Sequence, residues 1–390
     1  MQLSDMLFCL LRFEFFGVEL SQEEKNCLSG LEEEESKKLF ALAKKHDLAP
    51  ALASALVKNG LITKEDFIYN HYIKEQMLAL YRYENQRNDL TNIKEVLSQN
   101  GVEFVALKGA IIREYYKDPK LRTSCDIDVL VRREDLEKTT QLLVEKLSYV
   151  TDKREYFHDV TLHTPSGVTV ELHFSIEEGI KDLDCVLAKA WDYALTSGET
   201  EQEKLFTNEF LLFYLVAHTA YHFVNGGCGI KPFIDLQVLN NSVEFSQERL
   251  QDLLEDAGLV KFYHSITEIA KAWLVGGQKT DLVLETEEYI LKGGVYGTTD
   301  NAIAVKRASD TSKTKYFWSR LFLPYDSLKV VFPILKKHKW LFPFCQVARW
   351  FKALFSGRGK KFKKELEVSS SITKEEGDKL SSLLKNIGLK

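Results

Sequence analysis

Apolar residues in the first hundred positions recur at intervals of three and four, which is the spacing that places them on one face of an α-helix. The stretches Glu32 to Lys58 and Tyr69 to Asn100 show this pattern most clearly. Pro50 is predicted to split the first stretch, and Gly60 to end it. These patterns indicate a helical N-terminal region.

The pattern changes after residue 100. Val102 to Leu107 is a short apolar run followed by Gly109 and a helical stretch from Ala110 to Tyr116, which predicts a strand that leads into a helix. Cys125 to Val131 alternates apolar and polar positions, as a half-buried strand does. Two further predicted strands flank a Thr-Pro-Ser-Gly turn: Val160 to His163 and Val168 to Phe174.

Helical spacing returns at Thr207 and continues to about Leu291, with a glycine-rich break at Asn225 to Gly229. We therefore expect an α+β fold in which a small mixed sheet with helices is flanked by helical regions on both sides. The predicted divisions are an N-terminal helical region, 1–98; a mixed core, 99–200; a helical domain, 201–300; and a basic, aromatic C-terminal helical region, 301–390.

The charge is distributed unevenly along the chain. The net charge is -5, yet residues 301–390 hold 20 Lys and Arg against 7 Asp and Glu, an excess of 13 positive charges. Aromatic residues such as Phe317, Trp318, Trp340 and Phe351 are interleaved with these cations. Either this region packs its aromatics inward as a helical domain, or it contacts an anionic membrane surface or another polyanion.

Composition narrows the class of protein. Hydrophobic residues make up 45% and charged residues 28%, which is typical of globular proteins. The six cysteines are scattered without a CxxC pair, so neither a disulfide framework nor a zinc knuckle is indicated. Met1 to Gly17 lacks the features of a secretory signal, and no stretch approaches the roughly 18 apolar residues that span a bilayer. We expect a cytoplasmic protein, peripheral at the inner membrane face if the basic region binds lipid.

Three acidic residues are the strongest candidates for chemistry. Alternation along a strand places Asp126 and Asp128 on one face, and Glu171 on a later strand would join them if the two strands are neighbours. Like charges about 4 Å apart repel by roughly 4 kcal/mol at an effective dielectric of 20, so such a cluster needs a cation. Oxygen ligands favour Mg²⁺ or Mn²⁺, ions that also bind phosphates.

Several neighbouring residues are candidates for binding phosphate. Lys108 and Gly109 lie where the predicted strand becomes a helix, so backbone amides there could bind a triphosphate while the glycine permits close approach. Arg122 could contact phosphate or pair with a nearby carboxylate. His173 shares a strand face with Glu171, and a hydrogen bond beside the site is a better interpretation of it than metal ligation.

In motif order the sequence resembles the polymerase-beta-like nucleotidyltransferases, and within them a bacterial group described as uncharacterised nucleotidyltransferases. The shared elements are Leu107-Lys108-Gly109, the Arg122 to Val131 segment with its Asp-x-Asp, and the Glu171-Leu-His173 strand. His218-x3-His222 with Lys231 and Asp235 resembles that group's helical segment. The resemblance extends over about residues 100 to 350, including Leu323-Pro324 and Trp340 to Trp350.

The resemblance implies a metal-dependent nucleotidyltransferase. The three carboxylates Asp126, Asp128 and Glu171 would bind two metal ions, and an acceptor hydroxyl would attack the α-phosphorus of a nucleoside triphosphate (NTP) and release pyrophosphate. The acceptor and the base stay open. One departure is Ala110, since the superfamily usually has Gly-Ser at that helix start. It motivates the alternative of an inactive nucleotide-binding or interaction protein. The basic, aromatic C-terminal region motivates a further alternative, a peripheral membrane accessory factor for envelope glycan assembly.

The candidate residues on the predicted helices after residue 207 also have interpretations that involve no chemistry. His218 and His222 lie one turn apart, but no third metal ligand accompanies them, so packing or substrate contact is the better prediction. Lys231 and Asp235 have the spacing of a surface ion pair worth a few tenths of a kcal/mol. The resemblance alone makes Lys231 and Asp235 pocket residues.

Overall fold

The computed structural model describes residues 1–155, 159–197, 199–295, 297, 301, 305, 322–323, 325, 328, 332–355 and 373–389. Phe317 and Trp318 of the predicted aromatic region lie outside these residues. The described part is an α+β fold, as predicted, with a mixed sheet between helical regions.

Five helices precede the sheet. Pro50 lies in the first turn of the fourth, where the amide that proline lacks would have no helical partner, so the predicted split of the Glu32 to Lys58 stretch is confirmed. Gly60 follows the end of that helix with a positive φ of 63°. The helices are α1 (Leu3–Phe16), α2 (Gln22–Ser29), α3 (Glu33–Lys45), α4 (Ala49–Lys58) and α5 (Tyr69–Gln99).

Seven strands form one sheet in the order β3-β4-β5-β2-β1-β7-β6 within the described residues. The strand β2 runs parallel to β5, and β1 runs parallel to β7, whereas the other neighbours are antiparallel. The strands are β1 (Phe104–Ala106), β2 (Asp126–Val131), β3 (Val150–Glu155), β4 (Asp159–His163), β5 (Thr169–His173), β6 (Ala194–Thr196) and β7 (Glu203–Phe206).

The predicted hairpin is confirmed, since β4 and β5 pair antiparallel across the Thr-Pro-Ser-Gly turn. The helix predicted from Ala110 to Tyr116 is shorter than expected: α6 (Gly109–Ile112) is a single turn that continues as a 3-10 turn, Arg113–Tyr115. Strands β3, β6 and β7 were not predicted. Strand β7 extends the sheet beyond residue 200, where the core was expected to end. The predicted domain divisions stay predictions.

The two faces of the sheet have different roles. Ile127, Val129 and Val131 of β2 pack against α5 and against α7 (Leu136–Leu147) in one apolar cluster. The opposite face of β2 carries Asp126, Asp128 and Leu130, of which Leu130 joins a larger core made mainly of helices. Because a strand alternates its side chains, the acidic residues are thereby directed toward the helical side.

The larger core unites both ends of the described chain. The Phe8 ring in α1 stacks on Trp273, which lies in the helix Val260–Leu274, with ring centroids 4.6 Å apart. No helix that the structure describes has both the length and the apolar character needed to cross a bilayer. The remaining helices are α8 (Lys181–Leu187), α9 (Asn208–Val224), α10 (Lys231–Ser242), α11 (Gln247–Asp256), α12 (Val260–Leu274), α13 (Asp281–Gly293), α14 (Phe342–Phe355) and α15 (Lys374–Asn386).

Candidate active site

The sheet places the predicted carboxylates side by side. In the parallel pairing of β2 with β5, Asp128 stands directly opposite Glu171, and Asp126 lies two residues earlier on the same face. Asp128 is buried, whereas the Glu171 side chain is one-third exposed. All three residues line one pocket of about 310 Å³, so the side chains that the sequence predicted to converge share an accessible cleft.

Asp128 is held by two cationic side chains. The Lys108 ammonium donates to Asp128 Oδ1 at 2.9 Å, and His173 Nε2 donates to the same oxygen at 2.8 Å. His173 Nε2 also lies 3.4 Å from a Glu171 oxygen. Three carboxylates therefore face two cations, so the cluster keeps an excess of negative charge.

The pKa shifts follow from this arrangement. Burial, and then the charges of Asp128 and Glu171, raise the pKa of Asp126. Burial opposes ionisation of Asp128, but the Lys108 charge and the His173 hydrogen bond outweigh it and hold its pKa well below the usual range. Burial likewise opposes protonation of His173, yet its carboxylate partners raise its pKa to about 9, so the imidazole is charged at neutral pH.

The donor atoms fit a hard divalent cation. Potential ligand atoms of Asp128, Glu171 and His173 all lie within 4.8 Å of one another, and while His173 is protonated the two carboxylates are the members of this group able to bind a cation. Asp126 does not belong to this group of three, although it lies on the same strand face as Asp128 and lines the same pocket. A carboxylate cluster with surplus negative charge is stabilised by such a cation, and oxygen ligands suit magnesium or manganese.

The backbone around Lys108 and Gly109 differs from the phosphate-binding site that the sequence predicted. The amides of Ala110, Ile111 and Ile112 donate to backbone carbonyls, so these amides are already used. Lys108 has a positive φ of 46°, an unusual conformation for a residue with a side chain. A Cβ on Gly109 would lie 2.8 Å from Arg122 Nη1 and from Ser124 Oγ, so glycine is also required by packing at this position.

Ser124 is a site residue that the sequence did not reveal. Its hydroxyl lies 3.1 Å from Asp126 Oδ1, to which it donates, and it lies against Gly109. The chain has alanine at position 110, where the resemblance implied serine, but Ser124 supplies a hydroxyl beside the same glycine.

Arg122 forms a buried ion pair with the helical region. Its guanidinium donates to both oxygens of Asp235, at 3.1 and 2.7 Å, and to the Thr123 carbonyl at 3.1 Å. Tyr116 also donates to Asp235. Burial opposes protonation of Arg122, but the Asp235 charge outweighs it and raises the pKa of Arg122. Of the two sequence interpretations, pairing with a carboxylate is the one observed, in a buried setting.

Lys231 and Asp235 do not pair with each other, so the ion pair predicted from their helical spacing is wrong. Lys231 instead binds Asp47 Oδ2 at 2.8 Å and the Thr123 carbonyl at 3.1 Å. Asp47 also accepts from the Thr123 hydroxyl at 2.6 Å. Lys231 and Asp235 both line the pocket, and together they tie α10 to the segment just before β2.

His218 and His222 line the same pocket from α9. His218 Nδ1 lies 2.7 Å from Glu178 Oε1, and His218 Nε2 lies 3.0 Å from His222 Nε2. Burial lowers the pKa of each histidine to about 3, so both are neutral. The carboxylate then accepts from His218 Nδ1, and His222 Nε2 donates to His218 Nε2. Sequence spacing suggested the histidine pair but not Glu178, which comes from the loop after β5.

The comparisons with known proteins agree with the motif order. The family described as "Uncharacterised nucleotidyltransferase" matches residues 32–275, more than half of the chain. The match begins earlier than residue 100 and ends before Leu323, so it includes helices that the resemblance omitted and excludes the predicted 323–350 region.

A solved structure is also similar to part of the chain. It is the crystal structure of an antigenic nucleotidyltransferase-like protein from Paracoccidioides brasiliensis, with 17% identity and a TM-score of 0.32, over 51% of this chain and 96% of that protein. No curated protein matches this chain.

Proposed function

The chain belongs to the uncharacterised nucleotidyltransferase family, and we propose that it transfers a nucleoside monophosphate from an NTP to an acceptor with release of pyrophosphate. In this reaction an acceptor oxygen forms a bond to the α-phosphorus. The bond from that phosphorus to the pyrophosphate oxygen breaks, and the acceptor proton is released.

The observation that carries the proposal is the pairing of Asp128 with Glu171 across two parallel strands, beside Asp126, in a cleft. Buried carboxylates are usually paired with protein cations or coordinate metals, and this cluster has three acids against two bases. The cleft of about 310 Å³ has room for part of a nucleotide.

Asp126, Asp128 and Glu171 would hold Mg²⁺ or Mn²⁺, with His173 beside them. When bound, the metal would neutralise charge on the phosphate oxygens and on the acceptor oxygen. Lys108 would then place an ammonium near the triphosphate, because a metal on Asp128 competes with Lys108 for that carboxylate.

Gly109 leaves room for the Arg122 and Ser124 side chains, and the Ser124 hydroxyl would lie beside the triphosphate. Since the Arg122 donors are directed at Asp235 and Thr123, we assign to Arg122, Lys231 and Asp235 the positioning of the cleft wall. His218 and His222 line the cleft and would contact the substrate. Their lowered pKa makes them weak bases, so neither is assigned as the general base.

A non-catalytic nucleotide-binding protein is the second candidate. It is favoured by the two contacts that Lys108 and His173 make to one Asp128 oxygen, which stabilise this carboxylate without a metal. Such a protein would bind NTP and release no pyrophosphate.

The test measures pyrophosphate release by the full chain from each of the four NTPs, with Mg²⁺ or Mn²⁺ and a panel of hydroxyl-bearing acceptors. Asp126→Asn is the preferred variant, since Asp126 is less buried than Asp128 and its loss leaves the Lys108 contact intact. We expect a decrease on the order of a hundredfold or more, because loss of a residue that only supports a metal ligand already costs about 10–100-fold and Asp126 would itself be a ligand. Asp256→Asn, an exposed change on α11, is the matched control.

Nucleotide binding is measured on the same proteins by equilibrium dialysis. Binding without release supports the second candidate. Equal release by Asp126→Asn and the unmodified chain would remove the metal-site assignment, and a chain that neither binds nor consumes NTP would refute both candidates.

A further inference from the structure

The helix α14 presents an unusual surface. A surface helix normally directs its apolar residues inward and its polar residues to water. Among positions 342–351 of α14, the exposed side chains are apolar: Phe344 is 64% exposed, Val347 43% and Phe351 58%, and Pro343 and Ala348 are exposed as well. Their spacing of three and four residues places them on one face.

Trp340 extends this surface. It is 68% exposed in the turn before α14, and its ring lies 6.2 Å from that of Phe344. We call the set Trp340, Phe344, Val347 and Phe351 the aromatic face. An exposed apolar patch of this kind marks a site of interaction.

The opposite side of α14 is anchored in protein. Cys345 is buried in a small apolar cluster with Leu328 and Leu335. Gln346 is also buried, and its side-chain amide donates to the Leu323 carbonyl at 2.6 Å. The aromatic face is therefore the outward side of a helix that already has an inward side.

Charge indicates which partner this surface fits. Lys337, His338 and Lys339 are exposed immediately before Trp340. Residues 301–390 as a whole carry an excess of 13 positive charges, although the chain is net negative. A second copy of this region would bring like charges together, whereas an anionic surface would be attracted.

We propose that the aromatic face inserts into the interface of an anionic lipid membrane, with the preceding basic residues at the headgroups. Trp and Phe side chains favour that boundary, and basic residues next to an apolar helix face strengthen binding to anionic lipid. The 14 residues of α14 make a helix of roughly 21 Å, too short to cross a bilayer, so it lies in the plane of the interface. The proposal is independent of the nucleotidyl transfer proposed above.

The test is flotation of the full chain with vesicles of phosphatidylcholine alone or mixed with phosphatidylglycerol. We expect the chain to float with the mixed vesicles, more weakly at high salt, and to bind neutral vesicles poorly. The variant Trp340→Ser/Phe344→Ser/Phe351→Ser should bind the mixed vesicles at least about tenfold more weakly. Circular dichroism and the thermal midpoint check that this variant is folded.

A matched control uses three exposed apolar residues on α5, in the variant Met77→Ser/Leu80→Ser/Tyr81→Ser, which should float like the unmodified chain. The variant Lys337→Glu/Lys339→Glu should lose the preference for anionic vesicles. The proposal is overturned if the unmodified chain does not float, if the aromatic variant floats equally well, or if the two triple variants lose binding to the same extent.

Two further results would also overturn it. One is a dimer in sedimentation that the aromatic variant lacks, without vesicle binding. The other is binding to nucleic acid in place of vesicles.

Discussion

Single residues at this site are held by partners from distant parts of the chain, and the Arg122–Asp235 pair shows the energetic consequence. Asp235→Asn removes the charge that neutralises a largely buried guanidinium at the cleft wall, so we expect a loss of about 3 kcal/mol in the free energy of unfolding, the lower end for a broken buried pair. Urea denaturation measures it, with the exposed Asp256→Asn as control. The double change Arg122→Met/Asp235→Leu should recover much of the loss, since it leaves no unpaired charge; a variant Asp235→Asn as stable as the unmodified chain would contradict this account.

A second residue-scale prediction concerns pH. His46 is fully buried, and burial lowers its pKa to about 4, against 6.5 in the unfolded chain. Between about pH 6.5 and pH 4, His46 is therefore protonated in the unfolded state and neutral in the folded state. The contribution of His46 to the free energy of unfolding is fully present above pH 6.5, and it falls by about 3 kcal/mol on acidification to pH 4. Denaturation of the unmodified chain and of His46→Gln at several pH values isolates this contribution, which the variant should lack.

At the scale of elements, two glycines allow steric and backbone effects to be separated. Gly167 in the β4–β5 turn has φ 86° and nothing within 4 Å of an added Cβ, so Gly167→Ala should cost only the backbone strain, about 1–2 kcal/mol. Gly109→Ala places a Cβ 2.8 Å from Arg122 and Ser124, and the site must shift. We expect Gly109→Ala to reduce nucleotide binding and Gly167→Ala to leave it unchanged, as equilibrium dialysis would show. Equal effects would mean that Gly109 has no special role.

The elements that the sequence predicted well are those with a strong local pattern. Alternation in β2 and the turn before β5 predicted both strands, and the convergence of Asp126, Asp128 and Glu171 followed from them. Strand β6 has only three residues and two of them are exposed, so no hydrophobic pattern indicates it. The partners of Lys231 and Asp235 lie 184 and 113 positions away, and helical spacing predicts neighbours on the same helix only.

For the molecule as a whole, helices that precede the sheet in the chain and helices that follow it pack together in the larger apolar core, and the site depends on that core. The pocket combines β2 and β5 with α9 and α10, and the same helical core includes α1 through Phe8, which packs on Trp273. We therefore expect Phe8→Ala, far from the carboxylates, to lower the free energy of unfolding of the helical core and the sheet together by about 3–5 kcal/mol. Trp fluorescence and far-ultraviolet circular dichroism should then unfold together at a lower urea concentration. Two separate transitions, with the sheet unaffected by Phe8→Ala, would instead show that the helical core and the sheet fold independently.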